Sequence, residues 1–339
     1  MLKLKATTLP ETFAPTYKTI NEKLNADSLS AYNTCLRLED EARRTALTEI
    51  VEEIHSCRGE KDTLLELGKF YVDYYIQSFK NRRKKTPDSS EYASRSSFDN
   101  DEDALLAVLK QAPQDNRMAK KQALIRDSYR CVVTGKYHAE IPASFNIDEE
   151  NRNRVGSVFT ECARIVPEAT HFEISDEVSQ VNKRDYSASL LAVLHRFGYN
   201  VDDLYDSKIH SLYNVMTLEH NVHVAFDRLD LWFEATDIEN CYNIMTLFGL
   251  KPLPEKITFT RPAILSPGSH TESPFPSPEL LNLHASCAKV AHLSGVAEYL
   301  DELDDNLDEL QVLAADGGSS DVLSHALLRS LSFMPSSRR

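Results

Sequence analysis

The sequence predicts an α+β fold in which helical regions at both ends flank a small β-rich centre. Apolar residues recur at three- and four-residue steps over residues 16–80 and again near the C-terminus, which indicates amphipathic helices. Short segments rich in β-branched and aromatic residues replace that pattern after Arg126. With 339 residues, the chain has room for two domains or for one domain with long additions.

Composition and charge exclude several classes of protein. Hydrophobic residues make up 42% of the chain and charged residues 27%, which is enough for a packed core. The net charge of −14 argues against a protein that coats nucleic acid by bulk attraction, although it allows a local basic cleft. The six scattered cysteines lack a CxxC pair and indicate an intracellular protein, cytoplasmic or nuclear. No apolar stretch approaches the roughly 20 residues that span a bilayer, so we expect no membrane partner.

The pattern divides the chain into six regions. A helical N-terminal region (1–95) includes a polar stretch opened by the basic run from Lys80 to Lys85, which fits either a nuclear import signal or a basic patch on a loop. A basic helical connector (96–125) and a β-rich domain (126–250) follow. Half of the 14 prolines then lie in a predicted extended strap. The predicted later regions are the strap at 251–279, C-terminal helices with an acidic face at 280–328, and a tail at 329–339.

Three short segments of the β-rich domain carry residues suited to chemistry. The first contains Cys131-Val-Val-Thr-Gly135, and the second reads Glu161-Cys-Ala-Arg-Ile-Val-Pro167. The third runs from Asn214 to Asp227, with His223 nine residues after Asn214 (223 − 214 = 9). His220, His223 and Asp227 share one face of a predicted helix (219–230), and such a face can supply metal ligands. Taken singly, Asn214 could be a turn residue, and the two histidines could be ordinary surface or boundary residues.

In this order and spacing, the three segments resemble the HNH nuclease family, most closely a fungal-type subgroup with helical flanks. The resemblance implies a ββα-metal core, in which a two-stranded hairpin and a helix hold one divalent ion, Mg²⁺ or a transition metal. It further implies metal-dependent hydrolysis of DNA phosphodiesters. Asn214 would orient the general base, and His223 would bind the ion with His220 or Asp227.

The chain departs from the family at Arg164, where the family pattern has the histidine that takes a proton from the attacking water. Arginine carries only donors and stays charged, so it cannot act as that base. It would instead clamp a phosphate or a carboxylate. Loss of a general base typically lowers a rate by about 10²–10⁴-fold. His171, His220 and Glu161 are the candidates to replace it, although the spacing puts Glu161 on the opposite face of a regular strand from Arg164.

Binding and structural residues complete the set of predictions. A local excess of positive charge just before and within the domain fits either nucleic-acid contact or a solvated helix face. Cys131 is predicted to be buried as a small apolar residue near a tight turn at Gly135. The predicted nucleic-acid contacts, with DNA as the partner, are Lys120, Lys121, Arg126, Arg130 and Lys136.

Three functions remain open at this point. The first is an HNH endonuclease, impaired by Arg164. The second is a catalytically inactive HNH-fold module that binds or regulates. The third is a helical scaffold that contacts another protein through its N-terminal helices or its acidic C-terminal helix.

Overall fold

The computed structural model describes residues 41–80, 113, 115–142, 145, 147–167, 189–190, 192–195, 197, 199, 209–247, 253–260, 274–309 and 320–333. These residues form helices and small sheets, which confirms the predicted α+β class. None of the helices in these ranges is both long and apolar enough to cross a bilayer. The helix predicted before residue 41 and the polar stretch after Lys80 lie outside the described ranges.

The N-terminal region forms two helices. Helix α1 spans Glu41–Ser56, and helix α2 spans Lys61–Tyr71 and continues through a π-helical turn (Val72–Ile76) into a last α-helical turn (Gln77–Phe79). The aromatic and aliphatic stripe of α2 is core, because Tyr75, Ile76 and Phe79 are buried in one cluster with residues from the C-terminal helices.

The next elements lead into the centre of the fold. Helix α3 (Asn116–Arg126) begins at Asp115, whose carboxylate accepts a hydrogen bond from the Met118 amide at 2.8 Å. The start of the predicted β-rich domain, residues 129–134, is mostly a turn. Ser128 and Tyr129 at its start and Gly135 just after it have positive φ angles, which a strand does not allow. The remaining elements here are β1 (Tyr137–His138), α4 (Glu149–Val155) and β2 (Ser157–Val158), with β1 and β2 parallel.

The centre of the molecule is a ββα unit. Strand β3 (Thr160–Arg164) pairs antiparallel with β4 (Val215–Glu219), and helix α5 (His220–Asp227) follows β4 directly. The sheet is covered on both faces. Ala163 packs in the cluster that includes Val222 of α5, whereas Val215 packs with Ala123 of α3.

A three-stranded sheet follows the ββα unit. Strands β5 (Leu231–Ala235), β6 (Cys241–Thr246) and β7 (Lys256–Thr258) are antiparallel neighbours in that order. Strand β7 lies inside the segment predicted to be an extended strap. That prediction is corrected here, because Ile257 is buried in the core and its strand pairs with β6.

Three helices form the C-terminal region: α6 (Pro278–Ser294), α7 (Val296–Glu309) and α8 (Ser320–Phe333). The predicted acidic face of α7 is not wholly solvated. Asp304 is buried against His325, with 2.8 Å between carboxylate oxygen and Nε2. Asp301 meets the buried Lys80 ammonium at 3.2 Å, and the same ammonium donates to the Arg228 carbonyl at 3.0 Å. Lys80 therefore joins the N-terminal helices, the central domain and α7.

Candidate functional site

Alternation along strand β3 gives its two faces different side chains. Glu161 and Ala163 point towards α5, where Ala163 packs in the apolar cluster and Glu161 meets two histidines. Cys162 packs with Ala123 on the other face, and Arg164 shares the parity of Cys162. We call these the histidine face and the arginine face of β3.

The histidine face holds a chain of alternating carboxylates and imidazoles. Nδ1 of His220 lies 3.1 Å from one oxygen of Glu161, and Nδ1 of His223 contacts the other oxygen. Nε2 of His223 lies 3.3 Å from Asp227 on the next turn of α5. The His223 side chain is 1% exposed, whereas that of His220 is 63% exposed. The chain of contacts therefore runs from a buried carboxylate to a solvent-facing imidazole.

A second buried histidine supports α5 from behind. His284 of α6 stacks on Phe226 with 3.7 Å between ring centroids, and its Nε2 lies 3.1 Å from the Phe226 carbonyl oxygen. Burial lowers the pKa of His284 to about 4, although the Phe226 carbonyl and the Asp227 charge oppose the shift. The ring is therefore neutral near pH 7 and donates through Nε2, which fixes the end of α5.

The Asn214 side chain holds the segment after β3 by hydrogen bonds to backbone groups. The amide oxygen accepts from the Val166 amide at 2.8 Å, while the amide nitrogen donates to the carbonyls of Val166 at 3.1 Å and Ile209 at 3.0 Å. Asn214 is 1% exposed. In this structure it fixes the chain two residues beyond Arg164, rather than bonding to the side chain at position 164.

Arg164 lies on the arginine face. One of its terminal nitrogens is 3.3 Å from Nδ1 of His210, which lies two positions before the short 3₁₀ helix Leu212–Asn214. The guanidinium is half-buried. Position 164 thus carries a permanent cation beside a histidine.

Positive charge gathers on the same face. Burial raises the pKa of the Cys162 thiol to about 11, and the charges of Arg164, Arg126 and Lys120 act in the opposite direction. Burial also lowers the pKa of His138, and Lys120 lowers it further. Lys120 itself is exposed. Several cations therefore act on one strand face, and Lys120 is the one that reaches solvent most openly.

The prediction that Arg126 contacts nucleic acid needs correction. Its guanidinium is 1% exposed and forms a two-point ion pair with Asp127, at 2.7 and 2.9 Å. It also donates to the carbonyls of Leu212 at 2.7 Å and Val215 at 2.9 Å. An arginine enclosed in this way holds α3 against β4 and cannot reach a phosphate.

The other residues predicted to contact DNA make contacts within the protein, and the two predicted structural residues form a tight turn. Lys121 is half-buried, and burial lowers the pKa of its ammonium. The Arg130 guanidinium lies 4.1 Å from the centre of the Tyr137 ring, and Lys136 pairs with Glu219 at 3.1 Å. Cys131 is buried, and Gly135, with φ of +70°, donates its amide to the Cys131 carbonyl at 2.9 Å.

The divalent ion that the resemblance implies does not fit the side chains as they stand. Across the ranges that the structure describes, no three or more His, Cys, Asp or Glu residues are grouped so that they could hold a metal ion. The geometry gives the reason. His220 and His223 each aim Nδ1 at a different oxygen of Glu161, and the second nitrogen of His223 is turned towards Asp227. The donors therefore pair with one another and do not converge on one point.

Glu161 is the residue whose place the sequence analysis missed. The sequence suggests Glu161 only as a replacement general base, whereas in the structure its carboxylate lies between His220 and His223. The signal was present in its odd spacing from Arg164, because a residue on the opposite face of the strand faces the helix that follows β4. His171, another candidate base, lies outside the described ranges.

Comparison with known proteins agrees with this geometry. A family model described as HNH endonuclease matches residues 131–234, under a third of the chain. No curated protein and no solved structure matches the chain. The matched segment begins at Cys131 and ends within β5, so it contains β3, β4 and α5. The segment that contains β3, β4 and α5 is therefore similar to the HNH endonuclease family.

Proposed function

We propose that this chain is a DNA-binding HNH-fold module that does not cleave phosphodiesters by the family's usual route. The observation that carries the proposal is the position of Arg164. A guanidinium occupies the place of the general base, on a strand face that also experiences the charge of Lys120. Such a face can neutralise phosphate oxygens, but it offers no proton acceptor of suitable pKa at position 164.

The acidity of the whole chain is compatible with this role. The net charge of −14 prevents binding by bulk attraction, so any DNA contact must be local. Arg164 is half-buried and held beside His210, so its guanidinium is already oriented before a phosphate arrives. Orientation in advance lowers the entropic cost of each contact.

The test is a pair of measurements on the full-length protein. Plasmid nicking with Mg²⁺, Mn²⁺, Ni²⁺ or Zn²⁺ should not exceed the buffer control. Fluorescence anisotropy with labelled duplex DNA should show salt-dependent binding that Arg164→Ala weakens roughly tenfold, as expected for loss of a charged hydrogen bond. Arg58→Ala is the matched control, because Arg58 is exposed at the turn between α1 and α2.

Two results would contradict the proposal. Metal-dependent nicking by the wild-type protein, abolished by His223→Ala, would restore the endonuclease. Absence of DNA binding at about 50 mM salt, where phosphate contacts are strongest, would leave a protein-binding role instead.

One observation favours a second candidate function, slow phosphodiester hydrolysis with His220 as the general base. The His220 ring is largely exposed while its Nδ1 is held by Glu161. A carboxylate in this position favours the tautomer that presents the Nε2 lone pair to water. Nicking that is lost in His220→Ala but retained in Arg164→Ala would identify this activity.

A further inference from the structure

We infer that Glu161 closes the histidine face to divalent ions, by holding with one carboxylate the two imidazoles that a metal would need. The inference rests on the proposed function, since a domain that binds without cleaving has no need of the ion. It assigns Glu161 a positioning role, in which strand β3 is tied directly to helix α5.

The contacts of His223 are the first step. A histidine binds a metal through a ring nitrogen that carries a lone pair and no proton. Both ring nitrogens of His223 face carboxylate oxygens, Nδ1 towards Glu161 and Nε2 towards Asp227. A carboxylate oxygen therefore lies in front of each nitrogen, where an ion would have to bind. An ion at either nitrogen would have to displace the carboxylate that faces it.

The second step is that Glu161 contacts two histidines at once. The oxygen that does not contact His223 lies 3.1 Å from Nδ1 of His220, so one carboxylate contacts both histidines of α5. The Glu161 side chain is 24% exposed and that of His223 is 1% exposed. Displacing Glu161 would therefore leave a largely buried carboxylate without its hydrogen-bond donors, which is costly.

The third step is the composition of the strand face. Among the β3 side chains that point to α5, Ala163 supplies no ligand atom and Glu161 is the one that does. Removal of the Glu161 carboxylate therefore frees two nitrogens at once and leaves a gap between them. Histidines three residues apart on a helix lie on one face and can then share a transition-metal ion.

The test is isothermal titration calorimetry of the full-length protein with Ni²⁺, Zn²⁺ and Mg²⁺. Wild type should give no stoichiometric heat that depends on His223. Glu161→Ala should gain a one-to-one site for Ni²⁺ or Zn²⁺ that wild type lacks. The gain should vanish in Glu161→Ala/His223→Ala. Glu161→Gln, which keeps the shape and one acceptor oxygen, should gain little.

Nitrogen-detected NMR of the wild-type imidazoles gives a second readout if Glu161→Ala fails to fold. Protons on Nδ1 of His220 and His223, with signals unaffected by Ni²⁺, would support the closure. One-to-one metal binding by wild type that is lost in His223→Ala would overturn it. The proposed closure would also be overturned if the Glu161→Ala protein folded but bound no more metal than wild type. DNA affinity is measured separately in EDTA, so failure of the binding module and failure of the closure are distinguishable.

Discussion

The two faces of strand β3 differ in how their charges are balanced. On the histidine face, the acidic groups Glu161 and Asp227 and the imidazoles of His220 and His223 satisfy one another within about one turn of helix. On the arginine face, the charges of Arg164, Arg126 and Lys120 all act on Cys162, together with the charge of Asp127, which is paired with Arg126. The charges that act on Cys162 are therefore mostly positive, whereas those of the histidine face alternate with imidazoles.

The two faces are therefore suited to different roles. The imidazoles of the histidine face are engaged in contacts within the protein. Under the proposed function, the Arg164 guanidinium on the other face is the group that attracts an anion. Binding of DNA and binding of a metal are therefore expected to respond to different substitutions.

Removal of the Arg126 guanidinium is expected to have the largest effect on stability. Arg126→Met would leave the buried Asp127 carboxylate with no cation beside it, although the Thr217 amide still donates to it, and would remove the guanidinium that donates to the carbonyls of Leu212 and Val215. Breaking one partner of a buried ion pair typically costs about 3–5 kcal/mol, so urea unfolding should show a loss of that order. Arg117→Met, at an exposed position of the same helix, is the matched control. A loss below about 1 kcal/mol would mean that the arginine face tolerates an unpaired Asp127.

The second prediction concerns acid stability on the side of the histidine face. The folded pKa of His284 is about 4, below its ordinary value of 6.5. The unfolded chain therefore binds a proton first as the pH falls, so the stability contributed by neutral His284 is present above pH 6.5 and is lost down to about pH 4. A shift of this size corresponds to about 3 kcal/mol.

His284→Gln provides the comparison, because glutamine keeps an N–H donor near the Phe226 carbonyl and does not titrate in this range. Urea unfolding at pH 7.5, 6.0 and 5.0 should show a smaller decline for the variant than for wild type. Equal declines in the two proteins would assign the acid sensitivity to other groups. Wild-type stability that rises on acidification would contradict the burial argument altogether.

The ββα unit was expected from the resemblance to HNH nucleases, which depends on the spacing of Asn214 and His223. The helices near both ends could be predicted from periodicity, because spacing alone determines which side chains of a helix share a face. The pairing of β3 with β4 is different, because Thr160–Arg164 pairs with Val215–Glu219 and no local spacing shows that contact.

The wrong predictions have a common cause, which is contact between distant parts of the chain. Arg126 appeared as one of several basic residues, but its partners include carbonyls 86 and 89 residues away. Asp304 appeared solvated because its partner, His325, belongs to another helix. A strand in the proline-rich segment was missed because its pairing with β6 is not visible in its own composition. A charged residue carries no sign in the local sequence of whether tertiary partners enclose it.

The smallest predicted effect is the most direct measure of the arginine face. Lys120 is exposed, and its charge reaches both Cys162 and His138. If it contacts a phosphate, Lys120→Ala should weaken DNA binding similarly for all sequences and should reduce the slope of log K against log salt by about 1. Lys61→Ala, at an exposed position of α2, should leave the slope unchanged. Equal slopes for wild type and Lys120→Ala would mean that Lys120 contacts no phosphate.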